Sequence, residues 1–472
     1  MHTRLFPTKD AYIENSHSTL KNFGRDEMLE ICALRVSNTV YTSSLIGESL
    51  VSDNVNCAEV IEFTGELTGS LSGSADFITG SHSGSFSGSI VGFTGSIVNL
   101  TGNISGNTSG SYYILANTYV SITQPTIKRS LLQFNLTQIS ESISNGEITN
   151  PEFSLNLKVT DAQSLPLSYT MYCYPLTKFW EMGNGMFVDG GSDVGVNWAY
   201  TNYPDLGTYW YSSMDTTYVP TDDYLNNQST SSFIRGGGVW HYTLPSSSMD
   251  LQSGSSLMCT QSFGYYQKSD ISMDITNICK GWIGGGIYNN GVMVMSSEEI
   301  VATPSNGYIY FFSKETNTIY TPYIDVKWDD STYLSGSSLI SSSLQPVTSS
   351  VGVTVSIKNL KKEYKVGSII RFDVYARDLY PQKTFQRLQT VYLNPKYLPV
   401  TSYYSIKDNE SEETIIDFDD YSKLSLDDNG NFFMVDTTGL PQERYYRLLI
   451  KSILDDGSVQ IFDGGAVFKI VR

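Results

Sequence analysis

Charge is scarce in this chain. Only 17% of its 472 residues are Asp, Glu, Lys or Arg, and the formal net charge is −18. An acidic field of that size repels phosphate backbones, so nucleic-acid binding through general electrostatics is not expected. It favours solubility and keeps other acidic surfaces away. Cysteine is also sparse. Cys32, Cys57, Cys173, Cys259 and Cys279 are widely spaced and none forms a CxxC pair. The odd count and the spacing argue against a disulfide framework or a zinc site. Reduced, mostly buried thiols fit synthesis in a cytoplasm. The four histidines, His2, His17, His82 and His241, stand in no Ser-His-Asp or HExxH pattern and read as structural or solvated. No apolar run approaches the roughly 20 residues of a membrane span. The opening MHTRLFPTKDAYI has no apolar signal-peptide core. The expectation is a chain neither embedded in a membrane nor exported by the usual signal.

What the chain does have is aromatic residues and glycine: 33 Tyr, 21 Phe and 39 Gly. With few charges and much Ser and Thr, that composition predicts an all-β protein. The length allows about three domains.

The most informative stretch runs from 61 to 110. A Thr-Gly or Ser-Gly pair returns about every fourth residue, with apolar residues between the pairs. Those residues are Phe63, Leu67, Leu71, Phe86, Ile90, Phe93, Ile97, Leu100 and Ile104. Glycine loses the most backbone entropy on ordering, and Ser and Thr bury little apolar surface. A single copy cannot offset about 1–2 kcal/mol of backbone entropy per residue. Regular apolar positions distinguish the stretch from a plain Gly/Ser linker. An extended assembly arm, packed on copies of itself or on a partner, fits; a mobile low-complexity arm is the alternative. Nothing in such a repeat supplies catalytic groups.

Strand patterns flank this arm. Residues 3–36 read as strand, loop, strand, with Asn22-Phe23-Gly24-Arg25 as a turn. Residues 128–136 are a strong strand, and Phe153 to Val159 alternates as a half-buried strand should. Residues 180–260, rich in Gly, Asp, Tyr and Trp, look like long loops over a sheet. Met273 to Trp282 reads as a strand and a short helical turn. Further strands are expected at 291–295, 308–312 and 321–328. The Ser-rich stretch 331–350 is the expected linker. Beyond it, strands near 353–360, 369–375, 389–394, 431–436, 445–451 and 466–471, with the turn Asp428-Asn429-Gly430, suggest an immunoglobulin-like sandwich over 351–472.

Leu5 to Ile13, then Asn22-Phe23-Gly24, then Arg129 to Leu136 follow an order that resembles the DNRLRE-type jelly-roll domain. Trp180-Glu181, Val196-Asn197-Trp198, then Asp274-Ile275-Thr276 with Trp282 and Gly285, and a closing Pro322 to Trp328, continue the likeness. It covers 1–36 and 112–330, with 37–111 inserted as the repeat arm. Such jelly rolls stand beside polysaccharide-active domains and are similar to carbohydrate-binding modules. The Thr/Ser-Gly repeats resemble segments of tailed-bacteriophage fibre and virion proteins. Residues 381–385, 392–399, 402–405 and 413–416 look like the end of virion proteins of marine phages. Together the resemblances imply a non-enzymatic structural protein of the virion, of tail, neck or fibre type. It would be made in the host cytoplasm and would contact copies of itself and other virion proteins. A secreted carbohydrate-binding protein would carry a signal peptide and usually an attached enzyme; neither is read here.

Three local readings stay open beside this one. Asp189, Asp193 and Asp205 share a Gly-rich region with two tryptophans; paired carboxylates could hydrolyse glycosides, but loop aspartates usually form turns. Asp427, Asn429 and Asn431 match the first half of a calcium loop. Phe432 and Thr438 stand where that loop needs Gly and Glu, so a hairpin turn fits better. The Asp417, Asp419 and Asp420 group reads as a solvated face, with a loop-bound calcium ion as the alternative. No other cofactor is expected. Tyr200, Tyr203, Tyr209, Trp210 and Tyr211 form an aromatic cluster suited to a protein partner, to core packing or to a host-surface glycan. The last use would make the chain a glycan-binding adhesin.

Overall fold

The computed structural model describes residues 1–15, 20–42, 63–75, 78–90, 93–100, 103–104, 118–205, 209–210, 236–264, 266–299, 307–334, 344–348, 352–380, 383–384, 390–391 and 395–472. The protein is all-β, with two α-helices, Thr137–Ser144 and Thr276–Ile283, among the described residues. It divides into two units: residues 1–34 with 126–472, and residues 35–125.

The first unit contains two sandwiches. In the N-terminal one, a four-stranded sheet runs in the order His2–Leu5, Tyr323–Lys327, Glu152–Leu157, Ile271–Asp274. Its partner is an eight-stranded sheet that includes Pro7–Glu14, Met28–Thr42, Thr118–Phe134, Ser168–Pro175, Cys259–Gly264, Val292–Ser296 and Tyr308–Phe312. Alternation explains how the two layers meet. Residues two apart on a strand share a face. Phe153, Leu155 and Leu157 therefore point one way, and they join Ile324, Val326, Leu132, Phe134, Val292, Val294 and Phe311 in one buried core. Each such side chain contributes about 1.5–3 kcal/mol of hydrophobic stabilisation when fully buried.

The Val292–Ser296 strand is buried at every position. Val292 and Val294 face the sandwich core, whereas Met293 and Met295 belong to a second core on the sheet's other face. That second core holds Trp180, Trp198, Trp210 and Trp240. Among the described residues, the segment after Pro175 thus packs over a sheet, anchored there by tryptophans.

The strand expected from Phe153 to Val159 ends at Leu157. A separate strand, Val159–Gln163, joins the other sheet. Asp270 holds the crossing point, accepting the Val159 N–H at 3.0 Å and the Lys158 ammonium at 3.2 Å. Helix Thr137–Ser144 was not expected. It is polar except for Ile139 and Ile143, which lie four residues apart on one face.

The C-terminal sandwich packs two sheets. One contains Val353–Ile357, Ile369–Asp378, Ser425–Asp427 and Gly430–Asp436; the other contains Ser402–Asp408, Tyr445–Ile453 and Val459–Val471. Phe372, Phe433, Tyr404, Tyr446 and Phe468 form an aromatic core between them. The Asp428-Asn429 pair is a two-residue hairpin connection, with Asp427 opposite Gly430, whose φ of 126° favours glycine. Of the strand expected at 389–394, Thr390–Val391 is described, paired with Lys383–Thr384.

The expected linker is structural at both ends. Leu334 donates to the Leu426 carbonyl, the Leu426 N–H donates to Thr332, and buried Val347 donates to Tyr397. The middle of the linker lies outside the described residues.

In the second unit the strands Phe63–Ala75, Ile78–Ile90 and Phe93–Leu100 pair parallel and side by side, and Asn103–Ile104 continues the third row. Phe63 is opposite Ile78 and Ile78 opposite Phe93, a spacing of 15 residues. A straight 13-residue strand would span about 43 Å at about 3.3 Å per residue. Ala75 and Ile78 are three peptide steps apart and can be separated by only about 11 Å. Yet Ile78 lies beside Phe63, so the chain has returned to its starting point. Each 15-residue repeat is therefore one turn of a coil.

Candidate functional site

The nine apolar residues of the repeat all fall on this coil. The register collects them into columns: Phe63, Ile78 and Phe93; Leu67, His82 and Ile97; Leu71, Phe86 and Leu100; Ala75, Ile90 and Ile104. The last two columns are one residue short in the third turn, because the register shifts between Ser83 and Phe86. Glycines stack likewise, Gly65 on Gly80 on Gly95 and Gly69 on Gly84. The four-residue spacing visible in the sequence is thus nested inside a 15-residue period. The signal for that period was present as a Phe or Ile followed by Thr-Gly, which occurs at 63, 78 and 93.

The aromatic cluster is divided. Trp210 is fully buried and its indole N–H donates to the Asn197 carbonyl at 2.8 Å. Of the uses left open for the cluster, core packing is the one that Trp210 has. Tyr200 is 7% exposed, and its ring lies 4.4 Å from that of Tyr209. The two hydroxyls share a hydrogen bond of 2.8 Å, which is the main reason the Tyr200 phenol is pushed up to about 12. Tyr203 is half-buried against Tyr200, while Tyr209 is exposed. Tyr211 lies outside the described residues.

Two asparagines from the resemblance motifs organise these loops. Asn22 is fully buried. Its side-chain amide donates to the carbonyls of Met182 and Val196, both at 2.7 Å, and its oxygen accepts from Gly24 and Gly185. Asn197 accepts from Ala199 and Tyr200 and donates to Leu20. A turn residue read from sequence is therefore the pin that holds a loop 160 residues further on.

The aspartates do not converge on a reacting group. Asp193 is exposed and pairs with Lys21 at 2.8 Å; Asp189 ends a short 3-10 turn; Asp205 is exposed. Asp419 meets cations of the protein itself, His2 at 3.0 Å and Lys327 at 3.1 Å. Asp420 pairs with Lys423, and Asp417 caps the neighbouring Phe418 N–H. Asp427 accepts from Arg371 at 2.6 Å and from Asn429 at 2.8 Å. Among the described residues no three His, Cys, Asp or Glu side chains are grouped to hold a metal ion. Burial raises the thiols of Cys173 and Cys279 and pushes Cys259 up to about 12, which leaves them protonated and poor nucleophiles.

An open groove of about 510 Å³ lies elsewhere on the N-terminal sandwich, lined by Lys9, Gln133, Glu141, Phe179, Trp282 and Asn289 among others. Phe179 is 55% exposed and the Lys9 ammonium sits 3.9 Å from its ring centre. This groove was not singled out from the sequence, since its residues come from five separated segments.

No family model matches the chain, and no curated protein matches it.

Proposed function

We propose that this chain is a non-enzymatic structural component of a tailed phage particle, placed in the tail, neck or fibre attachment. It is made in the host cytoplasm and built into the virion. On this reading the two sandwiches, one jelly-roll and one immunoglobulin-like, are rigid modules, and the repeat is the element that joins copies or neighbouring virion proteins. The observation that supports it most is the parallel ladder of residues 63–104, whose repeat is complementary to itself. Surface burial and repeated symmetric contact do the work, without chemistry.

The test is the mass of the purified chain by light scattering, with and without residues 61–110, together with immunoblotting of purified particles for each form. A defined oligomer that falls to monomer on deletion, and loss from particles, supports the proposal. A monomer in both forms that is absent from particles overturns it.

A second reading is a glycan-binding adhesin. The groove at Phe179 favours it, because an exposed aromatic face beside amide and carboxylate side chains is the chemistry that grips a sugar ring. Phe179→Ala would weaken glycan-array binding on that reading and leave it unchanged on the first.

A further inference from the structure

Among the described residues, the ladder of 63–104 has an unpaired side at each end. Among the described residues, Phe63–Ala75 pairs only with Ile78–Ile90, and Phe93–Leu100 pairs only with that same strand. Each end turn therefore has, among the described residues, one side with no strand partner for its backbone N–H and C=O groups. Natural edge strands refuse partners by means of Lys, Pro, bulges or inward charges. Residues 63–104 contain no Lys, Arg or Pro, and their only acidic residues are Glu66 and Asp76. The middle strand meanwhile shows what these edges accept. It takes a copy of its own sequence on either side, with Thr79 between Thr64 and Thr94 and Gly80 between Gly65 and Gly95.

We propose that the open side of the last turn receives the first turn of a second copy of this chain, parallel and in register. Thr94, Gly95 and Ser96 of one copy then lie opposite Thr64, Gly65 and Glu66 of the next. The 15-residue spacing continues across the boundary between chains. The occupant is a second copy because only a copy carries the sequence that the middle strand already accepts. The contact is head-to-tail, using a different edge on each copy, so it closes into a ring or runs on as a filament. This rests on the reading of the arm as the assembly element and specifies how it joins.

The test uses the full chain with Cys57→Ser and one new thiol, either Glu66→Cys or Ser96→Cys. Neighbouring turns lie about 4.8 Å apart, within reach of a disulfide. Positions 66 and 96 of one chain are two turns apart, about 9.6 Å, and beyond it. Mild oxidation of the mixed variants is expected to give a linked dimer that neither variant gives alone. A companion pair checks the period. Removal of residues 78–92, one whole turn, preserves the mixed product, and removal of 78–84, half a turn, abolishes it. Linked dimers from each variant alone, or none from the mixture, overturn the proposal. Light scattering separates the two failures. An oligomer that still depends on residues 61–110 leaves the arm's assembly role standing with a different joint; a mass independent of them removes both.

Discussion

Arg129 and Glu299 form an ion pair sealed inside the protein. One Glu299 oxygen accepts from the guanidinium Nε at 2.9 Å and from a terminal nitrogen at 2.8 Å, and both side chains are almost wholly buried. The other terminal nitrogen donates to the Gly237 carbonyl at 2.5 Å, and the guanidinium lies 5.0 Å from the Trp198 ring centre and 5.4 Å from that of Trp240. The pair therefore ties the central strand of the large sheet to the loops that cover it.

Breaking this pair from one side leaves a charge in an apolar core. Glu299→Leu or Arg129→Met alone is expected to cost about 3–5 kcal/mol. The double substitution is expected to recover most of that loss, because replacing both charges by apolar groups of similar volume is often neutral. Urea unfolding of the four proteins completes the cycle. Equal losses in the single and double variants would show that volume, and not charge, sets the cost.

Trp210 gives a second prediction. It is fully buried, whereas Tyr209 beside it is 42% exposed. Trp210→Ala is expected to lose about 3–5 kcal/mol, and Tyr209→Ala much less. Thermal unfolding followed by tryptophan fluorescence distinguishes them. Any loss of partner or glycan binding in Trp210→Ala would then be read against its loss of fold.

Residue patterning made some of this architecture legible and left other parts hidden. Phe153, Leu155 and Leu157 alternate because one face of their strand is buried, and a period of two is visible in any sequence. The Met and Val residues of 292–295 hide their alternation, since both faces are covered. Arg129 stood out at the head of a strand, but Glu299 did not. The two stand 170 positions apart in the chain, and no local pattern records such a meeting. Asn22 read as a turn former because its local role is one; its hold on Met182 and Val196 is tertiary. The nine apolar residues of the arm were plain in sequence. Their assembly into columns was not, because the spacing of four drew attention from the longer period of 15.

His2 carries a pH prediction. Its Nε2 is 3.0 Å from Asp419 and its Nδ1 is 3.7 Å from Asp325; Lys327 lies 3.1 Å from Asp419 and 3.6 Å from Asp325, and Tyr421 packs edge-on. Burial pulls the imidazole pKa down, but the hydrogen bond to Asp419 and the charges of Asp325 and Asp419 outweigh it, and the net shift is upward from 6.5. A raised folded-state value means that the stabilisation is complete below about 6.5, the unfolded value, and is lost as pH rises through the folded value. Thermal midpoints of the wild type and His2→Gln between pH 5 and 9 should differ most at the acid end and converge at the alkaline end. A constant difference would mean that His2 acts by shape alone.

Asp408 should behave with the opposite sign. It is 1% exposed and is held by Arg444, whose Nε and a terminal nitrogen bind its two oxygens, at 2.9 Å for the terminal contact. The N–H groups of Glu410 and Ser411 also donate to it, at 3.0 and 2.9 Å. The Arg444 hydrogen bonds are the largest cause of a carboxyl pKa far below the usual 3.8, with the two N–H donors adding to it against the opposing effect of burial. The depressed value makes this stabilisation complete well above 3.8 and erodes it as pH falls towards the folded value. Asp408→Asn removes the charge while keeping an acceptor for the turn, so the loss at pH 7 should be about 1.5–3 kcal/mol, the usual worth of hydrogen bonds to a charged group. Unfolding at pH 7, 5 and 3 checks it: the gap between wild type and variant should hold from 7 to 5 and narrow by 3. A gap that widens on acidification would show that the carboxylate is not the form the fold depends on.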